Sequence, residues 1–312
     1  MGTLTTHLRT AAAGILRRKT ARSTALGMAA MRGRGLVLVY HRLAPVGSAP
    51  HEVVPSLSSA VFRRQLEILG EVGEIVPAGD LAADSTPPRR IRFAITFDDD
   101  YPSHAQRALP LLQEYGVPAT FFLSGRSSLG FGPYWWILLE QMIAACGLEE
   151  TRRVLGVTGA TPLEVAAACE RPDLAERISM LVTSRDSALL EPVGIRALSD
   201  AGMTIGFHTL HHPVLTHLSD GDLERALRDG RDALAVTAGR PVDLFAYPHG
   251  RVDRRVAQRT RGAGYRAAFA TGGRPVGRGS DVFRLGRWEP GPLVDDEFLR
   301  HLALRLNYVV GA

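Results

Sequence analysis

From residue 36 onward the chain repeats one alternation: a short apolar run, then a stretch with helical spacing. The runs are Leu36 to Tyr40 (LVLVY), Phe93 to Phe97 (FAITF), Ala119 to Leu123 (ATFFL), Met203 to Phe207 (MTIGF), Leu244 to Tyr247 (LFAY) and Arg266 to Ala270 (RAAFA). They alternate little internally, which is how strands covered on both faces read. Helical patterns fall at Val61 to Leu69, Ala105 to Tyr115, Gly194 to Ala201, Asp222 to Ala238 and Arg254 to Gly262. Gly116, Gly202, Gly239 and Gly264 stand where helix C-caps are expected. This order predicts a mainly parallel α/β sheet or barrel, and periodicity does not choose between the two. Residues of about 125–190 break the rhythm with Tyr134-Trp135-Trp136 and two Ala- and Glu-rich helical patterns, so they read as a helical insertion.

Length and charge narrow the function. The 312 residues are 45% hydrophobic and 22% charged, an ordinary packed composition. Net charge is +5, yet residues 1–35 hold Arg9, Arg17, Arg18, Lys19, Arg22, Arg32 and Arg34 with no acidic residue, which leaves the rest at −2. A basic segment (1–35) therefore precedes a near-neutral domain (36–312), and the high pI is no argument for nucleic-acid binding. The apolar stretches of the first 35 residues are short or interrupted for a signal peptide, so a cytoplasmic location is expected. Two readings of 1–35 stand: a frayed basic helix, and a peripheral contact with an anionic membrane. Cys146 and Cys169 have neither disulfide nor C-x-x-C spacing and read as small buried positions on helices.

The chemistry collects just past the strand candidates. His41 follows LVLVY, Asp98-Asp99-Asp100 follows FAITF, His208 follows MTIGF, and His249 lies two residues after LFAY. In parallel α/β folds this edge is where ligands bind. Three adjacent carboxylates repel one another unless a cation or water relieves them; a solvated capping turn and a metal site both answer to that. His208 and His212 have the spacing to face one metal, and they also fit a chance pair in a His-rich loop. A carboxylate and two imidazoles on neighbouring strand ends make a two-His, one-carboxylate set, in which Zn²⁺ lowers the pKa of bound water to about 7.

Three motifs carry a family resemblance. T-F-D-D at Thr96 to Asp99, H-T-L-H-H-P at His208 to Pro213 and F-A-Y-P-H-G at Phe245 to Gly250 resemble the successive motifs of polysaccharide deacetylases, the carbohydrate esterase family 4 or nodulation-protein-B homology domain. The resemblance runs from about Leu36 to Arg287, includes P-A-T-F-F at Pro118 to Phe122 and skips the insertion. It implies a distorted (β/α) barrel. V-Y-H-R at Val39 to Arg42 resembles the branch that acts on N-acetylglucosamine polymers or their precursors.

The resemblance implies Asp98 as general base, Asp99, His208 and His212 as metal ligands, and Thr209 as the residue orienting the metal loop. This chain departs from the pattern in places. Asp100 replaces the usual Gly, so the turn lacks an easy left-handed residue, and Ala246 stands where many members hold the base with Arg. His249 stands where Tyr is common, and F-R-L-G-R-W at Phe283 to Trp288 replaces the late L-x-L-H motif. The resemblance to members with the Y-H opening implies His41 as the first choice for general acid, with His249 the second, and Arg287 as a candidate to replace the missing arginine. His104, His211 and His217 read as solvated or capping residues.

The expected activity is hydrolysis of a carbon–nitrogen, non-peptide bond: metal-dependent removal of the N-acetyl group from an amino sugar in a polysaccharide or glycan precursor. One divalent ion is expected, Zn first, with Co and Ni also accepting such donors. Alternatives are a deformylase or deacylase of a lipid-linked sugar, and a non-catalytic carbohydrate-binding relative.

Overall fold

The computed structural model describes residues 19–83, 90–182 and 189–307. Its strands are β1 (Gly35–Tyr40), β2 (Leu43–Ala44), β3 (Leu57–Ser58), β4 (Gly73–Ile75), β5 (Ile91–Asp98), β6 (Thr120–Leu123), β7 (Thr204–Phe207), β8 (Leu244–Ala246), β9 (Ala267–Thr271) and β10 (Leu285–Trp288). β5 to β10 pair in parallel in chain order, and β1 joins β10 to β5, which closes a seven-stranded barrel. The fold is the distorted (β/α) barrel. β4 pairs with the start of β5, on the edge whose later residues pair with β6.

Closure explains the apolar runs. Val37, Ala94, Phe122, Leu244, Ala246, Phe269 and Leu285 share one cluster, whereas Leu36, Leu38, Phe93, Ile95, Phe97, Phe121, Phe207 and Phe245 join the cluster that includes the surrounding helices. Alternate residues thus fill the barrel and the strand–helix layer, so neither face is left to water. The same alternation sends Thr96 and Asp98 inward with Ala94, and Arg287 inward with Leu285. All six runs form barrel strands, and the four capping glycines have φ of 61° to 84°.

The structure corrects several local expectations. β10 was not among the runs, because Gly286 and Arg287 interrupt its apolar character. The pattern at 222–238 forms two helices, Asp220–Arg228 and Arg231–Ala238, broken at Gly230 with φ 90°. The segment from 105 opens with a wide π turn, His104–Ala108, before the helix Leu109–Glu114. Cys169 is buried, but Cys146 is exposed, beside the kink at Gly147.

Within 125–190 the described residues hold the helices Trp135–Leu155, Pro162–Ala168 and Pro172–Leu181 and no strand; 183–188 lie outside the described residues. These helices build their own core from Ile137, Leu139, Ile143, Leu155, Val165 and Ile178. Arg42, just past β1, ties that core to the barrel by a two-pronged contact with Glu140 at 2.8 and 2.9 Å. The Glu140 carboxylate also accepts from the Val53 amide at 2.7 Å, so this buried acid is fully engaged.

Of the basic segment, residues 1–18 lie outside the described residues, and Lys19–Met31 is a helix. It packs Ala25 and Ala29 inward, and Arg22 meets Asp296 of the C-terminal helix Asp295–Leu306 at 2.7 Å. Among the described residues no helix is long and apolar enough to cross a membrane.

Gly206 faces Phe122 on the neighbouring strand, and a Cβ there would lie 2.4 Å from the Phe122 ring, which already packs on Phe269. Gly206→Ala is therefore expected to cost about 1–3 kcal/mol in urea unfolding, with partial recovery in combination with Phe122→Leu. Unchanged stability of the single variant would show that the barrel interior has slack.

Candidate active site

Asp98 is the last residue of β5, is 3% exposed, and its carboxylate receives both guanidinium nitrogens of Arg287 at 2.5 and 2.6 Å. β1 alone separates the two strands, so the inward positions of β5 and β10 meet across the barrel mouth. Arg287 also donates to Thr96 Oγ1 at 3.3 Å, and Thr96 donates to the Leu38 carbonyl at 2.8 Å. Burial works to raise the Asp98 carboxyl; Arg287 and His208 overcome it and bring the pKa down to about 2. Asp98 is thus held ionised.

Asp99 takes the opposite course. Its φ is 67°, so the left-handed residue of the turn is Asp99 and not Asp100, and the turn swings its side chain toward the β7 end. Asp99 Oδ1 is buried without a hydrogen-bond partner. Burial pushes its pKa up to about 7, opposed by His41 and reinforced by the charges of Asp98 and Asp100. Asp100 is engaged elsewhere, accepting from the Ser124 amide at 2.9 Å and from the Ser124 hydroxyl.

His208 follows β7, and its Nδ1 lies 2.8 Å from the Ala246 carbonyl, which makes Nδ1 the protonated nitrogen and leaves Nε2 as a free lone pair. That Nε2 stands 3.9 Å from Asp99 Oδ1 and 3.7 Å from Asp98 Oδ2. His212 Nε2 is likewise 3.9 Å from Asp99 Oδ1. The loop between the two histidines is held by Thr209, whose Oγ1 accepts the His212 amide at 3.0 Å. Burial lowers both imidazoles, His208 to about 4 and His212 well below its ordinary range, so both are neutral donors.

One donor atom from each of Asp99, His208 and His212 lies within 4.8 Å of the others. An unpartnered buried carboxylate oxygen beside two neutral imidazole nitrogens is a donor set that fits a divalent metal. The remaining expected residues also reach this place. His41 and His249 line the same cavity of about 1020 Å³, together with Trp135, Trp136 and Glu170 from the insertion. His249 Nδ1 is 3.5 Å from Glu170, and its ring is 4.6 Å from that of His212.

Two contributors were not legible in the sequence. Glu289, one residue past β10, sits at ion-pair distance from His41, 3.2 Å from its Nδ1. Burial acts to lower the His41 pKa; Glu289, with Asp99 and Asp98, outweighs it and raises it to about 9. The second is His104, expected at the surface but fully buried among Phe97, Tyr101 and Phe121. Its Nε2 lies 3.1 Å from the Asp98 carbonyl and 2.9 Å from that of Asp99, so it pins the backbone that aims both carboxylates. His211 and His217 are exposed, as expected.

Comparison with known proteins gives a consistent picture. The family model described as polysaccharide deacetylase matches residues 85–268, more than half of the chain. None of the curated proteins matches. Among solved structures, the chain is similar to the Streptococcus pyogenes deacetylase PplD in complex with acetate, at 18% identity and a TM-score of 0.60 over 86% of this chain and 97% of that one. It is similar also to IcaB from Ammonifex degensii, at 21% identity and a TM-score of 0.57 over 88% and 97%. BC0361, a polysaccharide deacetylase from Bacillus cereus, matches at 17% identity and a TM-score of 0.56 over 88% and 69%. At these identities the likeness is one of fold.

Because Asp98 lies below its ordinary value of 3.8, its pairing stabilises the fold at neutral pH, and that contribution is lost as pH falls toward about 2. In metal-free protein Arg287→Met is expected to cost about 3–5 kcal/mol at pH 7, the price of an unpaired buried carboxylate. The gap from wild type should narrow on acidification, as Asp98 in the variant protonates first. Equal stability at pH 7 would show that the pair contributes nothing to the fold.

Proposed function

The chain belongs to the polysaccharide deacetylase family, and we propose that it removes the N-acetyl group from an amino sugar of a polysaccharide or glycan precursor, using one divalent metal ion. The observation that carries this reading is the convergence of Asp99, His208 and His212 beside the ionised Asp98, on the floor of an open cavity. A divalent ion held by those three residues, zinc first among the candidates, would polarise the acetyl carbonyl and acidify a water beside it.

The chain's own residues supply the proton chemistry. Asp98, kept as a carboxylate by Arg287, accepts the proton of the attacking water. His41 is raised to about 9 and therefore carries a proton at neutral pH, which suits it to protonate the departing amine. His249, lowered by burial, is less suited to that task and lies nearer the insertion, beside Glu170. Trp135 and Trp136 give the cavity an aromatic wall on which a sugar ring can pack. The Y-H opening of His41 supports a substrate built on N-acetylglucosamine.

Acetate release from N-acetylated chito-oligomers, with and without chelator, tests the reading. Activity that chelation abolishes and divalent metal restores is expected; hydrolysis indifferent to chelation would overturn the metal assignment. The His208→Ala, His212→Ala double variant should lose stoichiometric metal. Asp98→Asn should keep the metal and lose roughly 10²–10⁴ in kcat. Near-normal turnover in that variant would remove Asp98 from the proton path.

The acid has its own signature. kcat/KM should decline as pH rises through about 9, where His41 loses its proton. Glu289→Gln should move that alkaline limb toward lower pH without changing metal content, because the carboxylate raising His41 is gone. An unmoved limb would transfer the acid role away from His41.

A further inference from the structure

A second groove, of about 1050 Å³, adjoins the catalytic cavity, and the two share Gly250, Thr271 and Gly272. One ligand can therefore occupy both. Its lining includes Arg32, Arg34, Arg251, Arg274, Arg278 and Arg284 against a single acidic residue, Asp281; the Arg34 guanidinium donates to the Leu306 carbonyl at 3.3 Å. Elsewhere the chain's exposed arginines commonly meet carboxylates: Arg63 with Glu114, Arg255 and Arg259 with Asp220, Arg266 with Asp243. Among the described residues, none of Arg32, Arg251, Arg274, Arg278 and Arg284 pairs with a carboxylate.

Like charges gathered in a concavity repel, and a dense anion relieves them. Guanidinium forks match phosphate oxygens with paired N–H bonds, a geometry that also distinguishes phosphate from a simple charge sink. The loop between β9 and β10 supplies Arg274, Arg278 and Arg284 interspersed with Gly277 and Gly279, so side-chain bulk does not bar a close approach of phosphate to the backbone. Arg32 and Arg34 come from the basic segment, so that segment forms part of the groove's wall. The concave shape favours a discrete polyanion over a flat lipid surface.

We propose that this groove binds a diphosphate carried by the substrate whose amino sugar enters the catalytic cavity. The link to the sugar rests on the deacetylase reading; the anion site itself does not. The diphosphate is that of a nucleotide-linked or a polyprenyl-linked sugar, two sources with the same chemistry at the groove.

The test uses the full chain and the Arg274→Gln, Arg278→Gln, Arg284→Gln triple variant. Calorimetric titration with inorganic pyrophosphate should show binding to the wild type, weakened at least about tenfold in the variant. With a diphosphate-linked N-acetylglucosamine, KM should rise by a similar factor while kcat holds, and turnover of a neutral chito-oligomer should not change. Uridine-diphosphate and polyprenyl-diphosphate forms run in parallel identify the source. Absence of pyrophosphate binding, or equal binding by wild type and variant, overturns the proposal. So does loss of binding to phosphatidylglycerol vesicles in the variant when pyrophosphate does not compete, which would make the groove a membrane contact. If no acetylated sugar is hydrolysed, the deacetylase reading fails while the pyrophosphate titration still decides the groove.

Discussion

The pairing of Asp98 with Arg287 is the contact from which the rest of the site follows. A carboxylate 3% exposed at the mouth of a barrel is tolerable only with a partner, and Arg287 occupies both of its oxygens. The barrel's closure makes this possible. In an open sheet β10 and β5 would lie at opposite ends, whereas here each pairs with one edge of β1. With its one nearby arginine committed to Asp98, the adjacent Asp99 is left buried with an unpartnered oxygen. The two carboxylates consequently diverge, one held near 2 and the other pushed to about 7. Two neighbouring acids diverge because Arg287 makes its paired hydrogen bonds to Asp98 alone, while Asp99 has only the longer-range charges of His41 and Arg287 to offset its burial.

The rim around this pair is built from conformations that ordinary residues avoid. Asp99, Thr209, His212 and His249 all have positive φ, between 53° and 67°. Each costs on the order of 1–3 kcal/mol and persists only where neighbours fix it. Those neighbours are visible. His104 reaches the carbonyls on either side of the Asp99 turn, Thr209 Oγ1 holds the His212 amide, and His208 is oriented by the Ala246 carbonyl. Ala246 thus keeps a role through its backbone although its side chain carries no charge for Asp98. The concentration of strain where donor atoms converge matches a surface shaped for binding and against solvation.

Much of this was legible from residue order, and the failures have physical causes. Runs such as LVLVY and FAITF announce strands because closure buries both of their faces. β10 escaped notice for the same reason in reverse: its inward position is Arg287, a charge satisfied only by a residue 189 positions away. The polar motifs at 96–99 and 208–213 could be read because their residue types carry the chemistry themselves. His104 could not, because burial of a neutral histidine is decided by Phe97 and Phe121 of neighbouring strands. The left-handed turn was expected at Asp100, where a glycine is missing; the chain places it one residue earlier and spends Asp100 on Ser124.

The insertion and the β9–β10 loop bound the site from different directions, and their chemistry differs. The insertion, anchored through Arg42 and Glu140, contributes Trp135, Trp136, Leu163 and Ala166 beside the charged Glu170 and Arg171. The wall at Gly250, Thr271 and Gly272 is shared with the arginine-lined groove. A ligand spanning both would meet apolar rings on one side of the scissile amide and cations on the other. For the diphosphate-bearing sugar proposed above, such asymmetry would favour one direction, because reversing the ligand would place its anion against indole. On the proposed reading the barrel floor would supply the reaction chemistry, and the insertion and the β9–β10 loop would decide which end of a glycan presents its acyl group to it.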